Sequence, residues 1–425
     1  MLFRKIHIII ATLALAVAFV PTAAFAGEPA VQLNVNGQPA ALTAPLILDN
    51  GQTKIALSDF AKILNLTSKI DASTGNIALT NDKYKVNITL GDYAANANGT
   101  FVLLNSMPSV ENDVVYVPLS QLASNAGAII TFNADTKTID MQVPKNLVKI
   151  FHAGSVATSL GTLTQEYTKS HPDTKFVLES SGSVDAVKKV TAMGKTADII
   201  ISADYATIQN YMFPATADWN LNFAGNRMVL MYTDKSKLAD KLTADNWYTL
   251  LSSPGAVKIG NTDPNLDPGG YRCLMTMKLA EKFYNTPGLY DKLVSNTAIT
   301  VNKPYDDLTA GNIDYIIGYE SSAKQNGFKT IDLPKEINLD MNGPADYYKT
   351  VTVKSDGKDI AAAPIQYGLT IPKNAVNPDV AIDFIKLLDS DAGRQIIEKD
   401  GLQTIHPLKT NDKTKLPDAL QALAE

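Results

Sequence analysis

The sequence predicts an α/β protein with two hinge-linked, doubly wound lobes, preceded by a small α+β domain. Three observations carry that prediction. Residues 47–80 align without a gap to residues 109–142, an internal repeat. From Leu147 onward, short apolar strands alternate with amphipathic helices, the pattern of a doubly wound sheet. Two apolar runs, "RMVLMYT" (Arg227–Thr233) and "PIQYGLTIP" (Pro364–Pro372), enclose roughly 130 residues with helices and strands of their own, enough for a second lobe. A chain of 425 residues also exceeds what one hydrophobic core organises.

The first 26 residues read as a secretory signal: Arg4 and Lys5, an apolar stretch from Ile6 to Val20, then Ala24-Phe25-Ala26. Cleavage after Ala26 is expected, with a retained anchor as the alternative. No later stretch is long and apolar enough to span a bilayer. Cleavage removes two of the 38 basic residues and none of the 43 acidic ones, moving the formal charge from −5 to −7. That balance argues against nucleic acid or another polyanion as partner, yet permits one small anion site. Cys273 is the only cysteine, so no internal disulfide forms and no thiol after Ala26 can carry a lipid. The expected location is the periplasm or the outer face of the cytoplasmic membrane, not as a lipoprotein.

Residues 27–146 form the first domain. "ILDNGQTKIALSDFAKILNLTSKIDASTGNIALT" from Ile47 matches "SVENDVVYVPLSQLASNAGAIITFNADTKTIDMQ" from Ser109, with Asn50 against Asn112, Leu57-Ser58 against Leu119-Ser120, and Ile77 against Ile139. Each copy reads as turn, strand, a helix capped by Ser58 or Ser120, then a hairpin turning at Asp71–Gly75 or Asn133–Lys137. The repeat resembles the copper amine oxidase N-terminal-like domain, a stalk module of exported bacterial proteins, over about a quarter of the chain. The resemblance implies a spacer or interaction role with an unknown partner. It does not imply oxidase chemistry, because His7, His152, His171 and His406 have no metal-ligand spacing.

A break at Val143-Pro-Lys-Asn146 precedes the second domain, residues 147–425. Its first lobe is read as residues 147–228 and 368–425, its second as residues 229–367. Strand "KFVLE" (Lys175–Glu179) leads through Ser180-Ser-Gly-Ser183 into a helix, and strand "DIIIS" (Asp198–Ser202) follows. A final helix, Pro378 to Glu398, rejoins the first lobe. A domain inserted between two crossing strands is a hinge architecture whose ligand sits in the cleft.

Two helix starts in the first lobe are built alike. Ala153-Gly154-Ser155 and Ser181-Gly182-Ser183 each place a glycine and a hydroxyl at a strand-to-helix turn. The first helical N–H groups lack internal partners, and glycine lets an anion approach them. Each serine therefore either caps its helix or donates to an anion. In the second lobe Asp267-Pro268 is a good helix start, while Gly269-Gly270 exceeds what a cap needs. "DYIIGYESSAKQ" (Asp314–Gln325) places Glu320 and Ser321 at the carboxyl end of an apolar strand.

Together the strings "FHAGS", "SADYATI", "DWNLNFAGNRMVLMYTDKSK", "DNWYTLL", "DPNLDPGGYR", "IDYIIGYESSA", "LPKEINL" and "PIQYGLTIPKNA" resemble, in order, the archaeal-type molybdate/tungstate-binding proteins of ABC transporters. The resemblance implies a periplasmic-binding-protein fold that closes over one tungstate or molybdate and delivers it to a permease. It implies no catalysis and no cofactor beyond that ligand. In the family, hydroxyls and backbone amides hold the oxo groups, and two carboxylates complete a six-coordinate metal centre. Carried over, Gly154, Ser155, Gly182 and Ser183 bind oxo groups, while Asp267 and Glu320 bond the metal of the oxyanion. Ser181, Gly318 and Tyr347 are secondary candidates; the family's ligand glutamate aligns with Gly318, so Glu320 is either its substitute or merely a neighbour, a solvated or salt-bridged strand end. A carboxylate facing a dianion is repelled unless it bonds the metal itself, and sulfate cannot expand its coordination in that way. Alternatives are a receptor for sulfate or another tetrahedral oxyanion, a surface adhesin, and a hydrolase using Ser155 or Ser183. The hydrolase lacks a base near either serine.

Overall fold

The computed structural model describes residues 31–299 and 304–425, and the chain divides into two units after Lys145. The secretory signal and His7 lie outside the described residues. Among the described residues, no helix is long and apolar enough to cross a membrane.

In the first unit the repeat is realised element by element. Strands Ile47–Asp49 and Gln52–Ala56, helix Leu57–Ile63, and hairpin strands Thr67–Asp71 and Asn76–Thr80 form the first copy. Ser109–Glu111, Val114–Pro118, Leu119–Asn125, Ile129–Asn133 and Thr138–Gln142 form the second. The copies meet where Ile55 pairs antiparallel with Val117, equivalent residues that are both fully buried. Ser58 and Ser120 do not cap. The helices start one residue earlier, at Leu57 and Leu119, and no side chain accepts at either cap. The following position ties each helix start to the loop before it: Asp59 Oδ2 accepts from the Thr43 N–H at 2.9 Å, and Gln121 Oε1 from the Asn105 N–H at 2.9 Å.

In the second unit, parallel strands β1 (Asn146–Ala153), β2 (Thr174–Ser181) and β3 (Ile199–Ser202) are continued by antiparallel β4 (Leu221–Gly225), β10 (Gln366–Thr370) and β11 (Gln403–Thr410). The order is β2-β1-β3-β10-β4-β11. The second lobe's sheet contains β5 (Met228–Tyr232), β6 (Ile259–Asn261), β7 (Thr297–Ile299), β8 (Tyr315–Tyr319) and β9 (Lys329–Asp332), ordered β7-β6-β8-β5-β9. The first crossing is thus Asn226-Arg227. The returning strand lies wholly in the first lobe, so Gln366 and Tyr367 belong there rather than to the second lobe.

The helices used below are α1 (Ala157–Ser170), α2 (Ser183–Thr191), α3 (Tyr205–Met212), α4 (Pro268–Phe283), α5 (Pro304–Ala310) and α6 (Glu320–Asn326). The expected final helix is two, α7 (Pro378–Asp389) and α8 (Asp391–Lys399). Ser390 between them is extended and caps α8, its Oγ accepting from the Gly393 N–H at 3.1 Å. Apolar spacing persists across the break, because both helices bury one face against the same lobe.

Candidate functional site

Strand pairing brings the two lobe-1 turns side by side. Ala153 is in register with Ser181, so the chain leaves β1 and β2 at the same level, at their carboxyl ends. Across the cleft, β6 ends at Asn261 and runs through a turn into α4, while β8 ends at Tyr319 and runs into α6. Between these ends lies a cavity of about 640 Å³. Gly154, Ser155, Ser181 and Gly182 line it from the first lobe; Thr262, Asp267, Tyr305 and Tyr319 line it from the second. A recess of about 30 Å³ adjoins Asp267 and includes Gly318.

The two serines do not cap their helices. Ser155 lies inside a short 3-10 turn, Gly154–Val156, capped by Ala153, and Val156 caps α1 behind it; Gly182 caps α2, and no side chain accepts at any of these caps. Ser155 Oγ instead lies 2.8 Å from the hydroxyl of Tyr367. Ser183 is fully buried beside the cavity rather than on its wall, and its Oγ accepts from the Ala203 N–H at 2.9 Å. Ser181 Oγ accepts from Lys189 Nζ at 3.1 Å. That ammonium also meets Glu179 at 2.9 Å and Asp185 at 3.4 Å, placing a cation at the cavity wall.

Gly182 leaves no room for a side chain. A Cβ there would sit 2.3 Å from the Leu266 carbonyl oxygen, which accepts from the Val184 N–H at 3.1 Å. One of the amides expected to face an anion is therefore bonded to the opposite lobe. Further bonds join the lobes nearby. Arg272, buried on α4, donates to the Ala203 carbonyl at 2.7 Å and pairs with Asp204 at 3.2 Å. Tyr271 donates to Asp204 at 2.6 Å. The lobes are closed on one another along this seam.

Asp267 is both a cap and a wall residue. Its Oδ1 accepts from the Gly269 N–H at 2.9 Å. Burial pushes its carboxyl up, against the Gly269 and Thr262 hydrogen bonds and the charge of Arg272.

Glu320 does not fill the role expected of it. Arg227 Nε donates to its Oε2 at 2.7 Å and Arg227 Nη2 to its Oε1 at 3.1 Å, with Lys324 Nζ 3.2 Å from Oε1. Burial raises this carboxyl, but Arg227 and Lys324 outweigh burial and hold it below the usual range. Both oxygens are committed to cations away from the cavity. Gly318 lines the recess without reaching into it: a Cβ there would point at Met231 Cε, 2.9 Å away. Tyr347 also stands apart, its ring 4.9 Å from Lys282 Nζ on a different surface of the second lobe. Among the described residues no group of three or more His, Cys, Asp and Glu side chains could hold a metal ion.

Asn226, Tyr367, Asp204, Arg272, Tyr305 and Lys189 were not singled out from sequence. The first four lie inside the motif strings quoted above, but nothing in their local spacing separates them from packing residues.

Comparison with known proteins gives two family matches. Residues 148–403 match the family described as bacterial extracellular solute-binding protein, and residues 34–141 the copper amine oxidase N-terminal domain. An uncharacterized solute-binding protein of Petrotoga mobilis is 41% identical over 285 residues, 64% of this chain and 88% of that one. The molybdate/tungstate-binding protein WtpA of Pyrococcus abyssi is 37% identical over 292 residues, 61% of this chain and 84% of that one. The solved periplasmic molybdate-binding protein of Azotobacter vinelandii is similar at 19% identity and a TM-score of 0.45, over 60% of this chain and 98% of that one.

Proposed function

This chain belongs to the bacterial extracellular solute-binding protein family, and we propose that it captures tungstate or molybdate between its lobes for an ABC transporter permease. The family is one of binding proteins, not enzymes. The observation that carries the proposal is the makeup of the closed cavity. Hydroxyls and glycine turns at the carboxyl ends of β1 and β2 face a carboxylate, Asp267, at the start of α4. The identity to WtpA over most of that protein's length supports the same ligand class.

In this reading Ser155 and Ser181 donate to oxo groups, Gly154 lets the ligand approach the backbone, and Gly182 lets the Leu266 turn of the second lobe close against the first. Ser183 supports the wall from beneath. Asp267 bonds the metal of the oxyanion, which turns a repulsion into an attraction and excludes sulfate. A second reading is favoured by one observation. Glu320 is occupied by Arg227 and Lys324, and Gly318 offers no side chain, so of the two expected metal ligands only Asp267 lines the cavity, Asp185 and Asp263 being the other carboxylates on its wall. A site of that kind also suits a four-coordinate oxyanion, sulfate included.

Calorimetric titration of the chain lacking residues 1–26 with tungstate, molybdate and sulfate separates the two. Tight binding of tungstate and molybdate with weak sulfate binding is expected. Comparable sulfate affinity shifts the conclusion to a general oxyanion receptor, and binding of none of the three refutes both.

A further inference from the structure

We propose that Asn226 and Tyr367 are positioning residues that fix the Ser155 hydroxyl as a hydrogen-bond donor into the cleft. This rests on the oxyanion-receptor reading of the cavity. Asn226 is one of the two residues that cross from β4 to β5, and it is buried. Its Oδ1 accepts from the N–H groups of Arg227 at 2.9 Å and Ser321 at 3.5 Å. Backbone N–H groups cannot accept, so the carboxamide has one orientation and its NH2 faces the other way. That NH2 donates to Ser321 Oγ at 2.8 Å and to the Tyr367 hydroxyl at 3.0 Å.

The phenol of Tyr367 is fully buried, and burial pushes its pKa up, so it keeps its one proton. Two hydroxyls remain beside it, Ser321 Oγ and Ser155 Oγ. Ser321 is fully buried and already accepts from Asn226, so its own proton is placed by donating to the phenol. Tyr367, accepting from Asn226 and Ser321, donates to Ser155 Oγ at 2.8 Å. Ser155 has then accepted, and its own proton is free to point into the cavity that it lines. An oxo group meets a donor there. A protonated oxyanion offering its own O–H meets no acceptor at that position.

The chain draws on both lobes. Tyr367 stands on β10 of the first, and Ser321 lies on α6 of the second. Gln325, also on α6, donates to the Ser155 carbonyl at 3.0 Å. Donor polarity at Ser155 is therefore set with α6 seated against the first lobe. No local spacing reveals this, since Ser155 and Tyr367 are 212 positions apart.

The test is a double-mutant cycle on tungstate affinity with Tyr367→Phe, Ser155→Ala and the pair, on the chain lacking residues 1–26. Each single variant is expected to weaken binding about tenfold, the scale of one hydrogen bond to a charged ligand. The pair should be no weaker than Ser155→Ala alone, because Tyr367 then has nothing to orient. A purely structural role for Tyr367 gives additive losses instead, and that result overturns the proposal, as does a Tyr367→Phe affinity within twofold of wild type. If Tyr367→Phe does not give a cooperative melt, Asn226→Asp runs the same cycle. It keeps the side-chain volume but makes Tyr367 donate away from Ser155, and additivity with Ser155→Ala is again the refuting result. A wild-type chain that binds none of tungstate, molybdate and sulfate defeats the receptor reading and this inference together. Binding by wild type with an additive cycle defeats the inference alone.

Discussion

Asp267→Asn separates the two roles of this residue more cleanly than any truncation. Asparagine is nearly as good a cap as aspartate, so the bond to the Gly269 N–H at 2.9 Å survives and α4 keeps its start. Alanine would add a capping loss of about 1 kcal/mol and blur the result. The charge is what changes. A carboxylate about 5 Å from a dianion, in surroundings of effective dielectric constant near 20, is repelled by roughly 7 kcal/mol. If Asp267 were only a cap beside the ligand, removing its charge would tighten tungstate binding by several orders of magnitude. If it bonds the metal, Asn replaces an anionic ligand by a weak neutral one, and affinity falls by about a hundredfold or more. The second outcome is expected, with sulfate affinity rising in the same variant. The assay is calorimetric titration with both anions at neutral pH and two salt concentrations, since screening affects the electrostatic effect more than the metal bond. Tighter tungstate binding by Asp267→Asn would refute metal ligation.

Other expectations follow from the same contacts. Because the folded-state pKa of Asp267 is raised by burial above its ordinary 3.8, its stabilising contribution is fully present below the unfolded value and lost as pH rises through the folded value. The ligand-free Asp267→Asn variant should therefore gain in melting temperature over wild type across that window, and a constant difference at all pH values would contradict it. Arg272→Leu leaves the Asp204 carboxylate without its guanidinium at the lobe seam, a loss of about 3 kcal/mol from the closed form. Titration should show affinity falling by about a hundredfold, and unchanged affinity would mean that the seam does not contribute to closure. Glu320→Gln should leave tungstate affinity within about threefold while lowering stability by about 1 kcal/mol, as Arg227 loses a charged partner whose side chain is 18% exposed. A hundredfold loss of affinity would return Glu320 to the ligand set.

The repeat, the strand-to-helix turns and the Asp267-Pro268 helix start were legible in the sequence because each rests on bonds between residues a few positions apart. Asp267 reaches Gly269 two positions on, and the chain itself fixes that spacing. The same locality explains the smaller misses: Ser58 and Ser120 sit one residue inside their helices, and Ser390 interrupts a helix whose apolar spacing continues through it. Long-range partners were a different matter. Glu320 ends a strand where a ligand glutamate could stand, yet Arg227, 93 positions earlier, takes both of its oxygens. By itself the sequence determined the two domains, the two-lobed architecture and which turns border a cleft. Only the tertiary structure decided that Asp267 and not Glu320 lines that cleft, that Ser155 and Ser181 line it while Ser183 does not, and that Asn226 and Tyr367 stand behind Ser155. A hydrogen bond between distant residues is selected by how sheets and helices bring them within about 3 Å, and spacing along the chain carries no record of that.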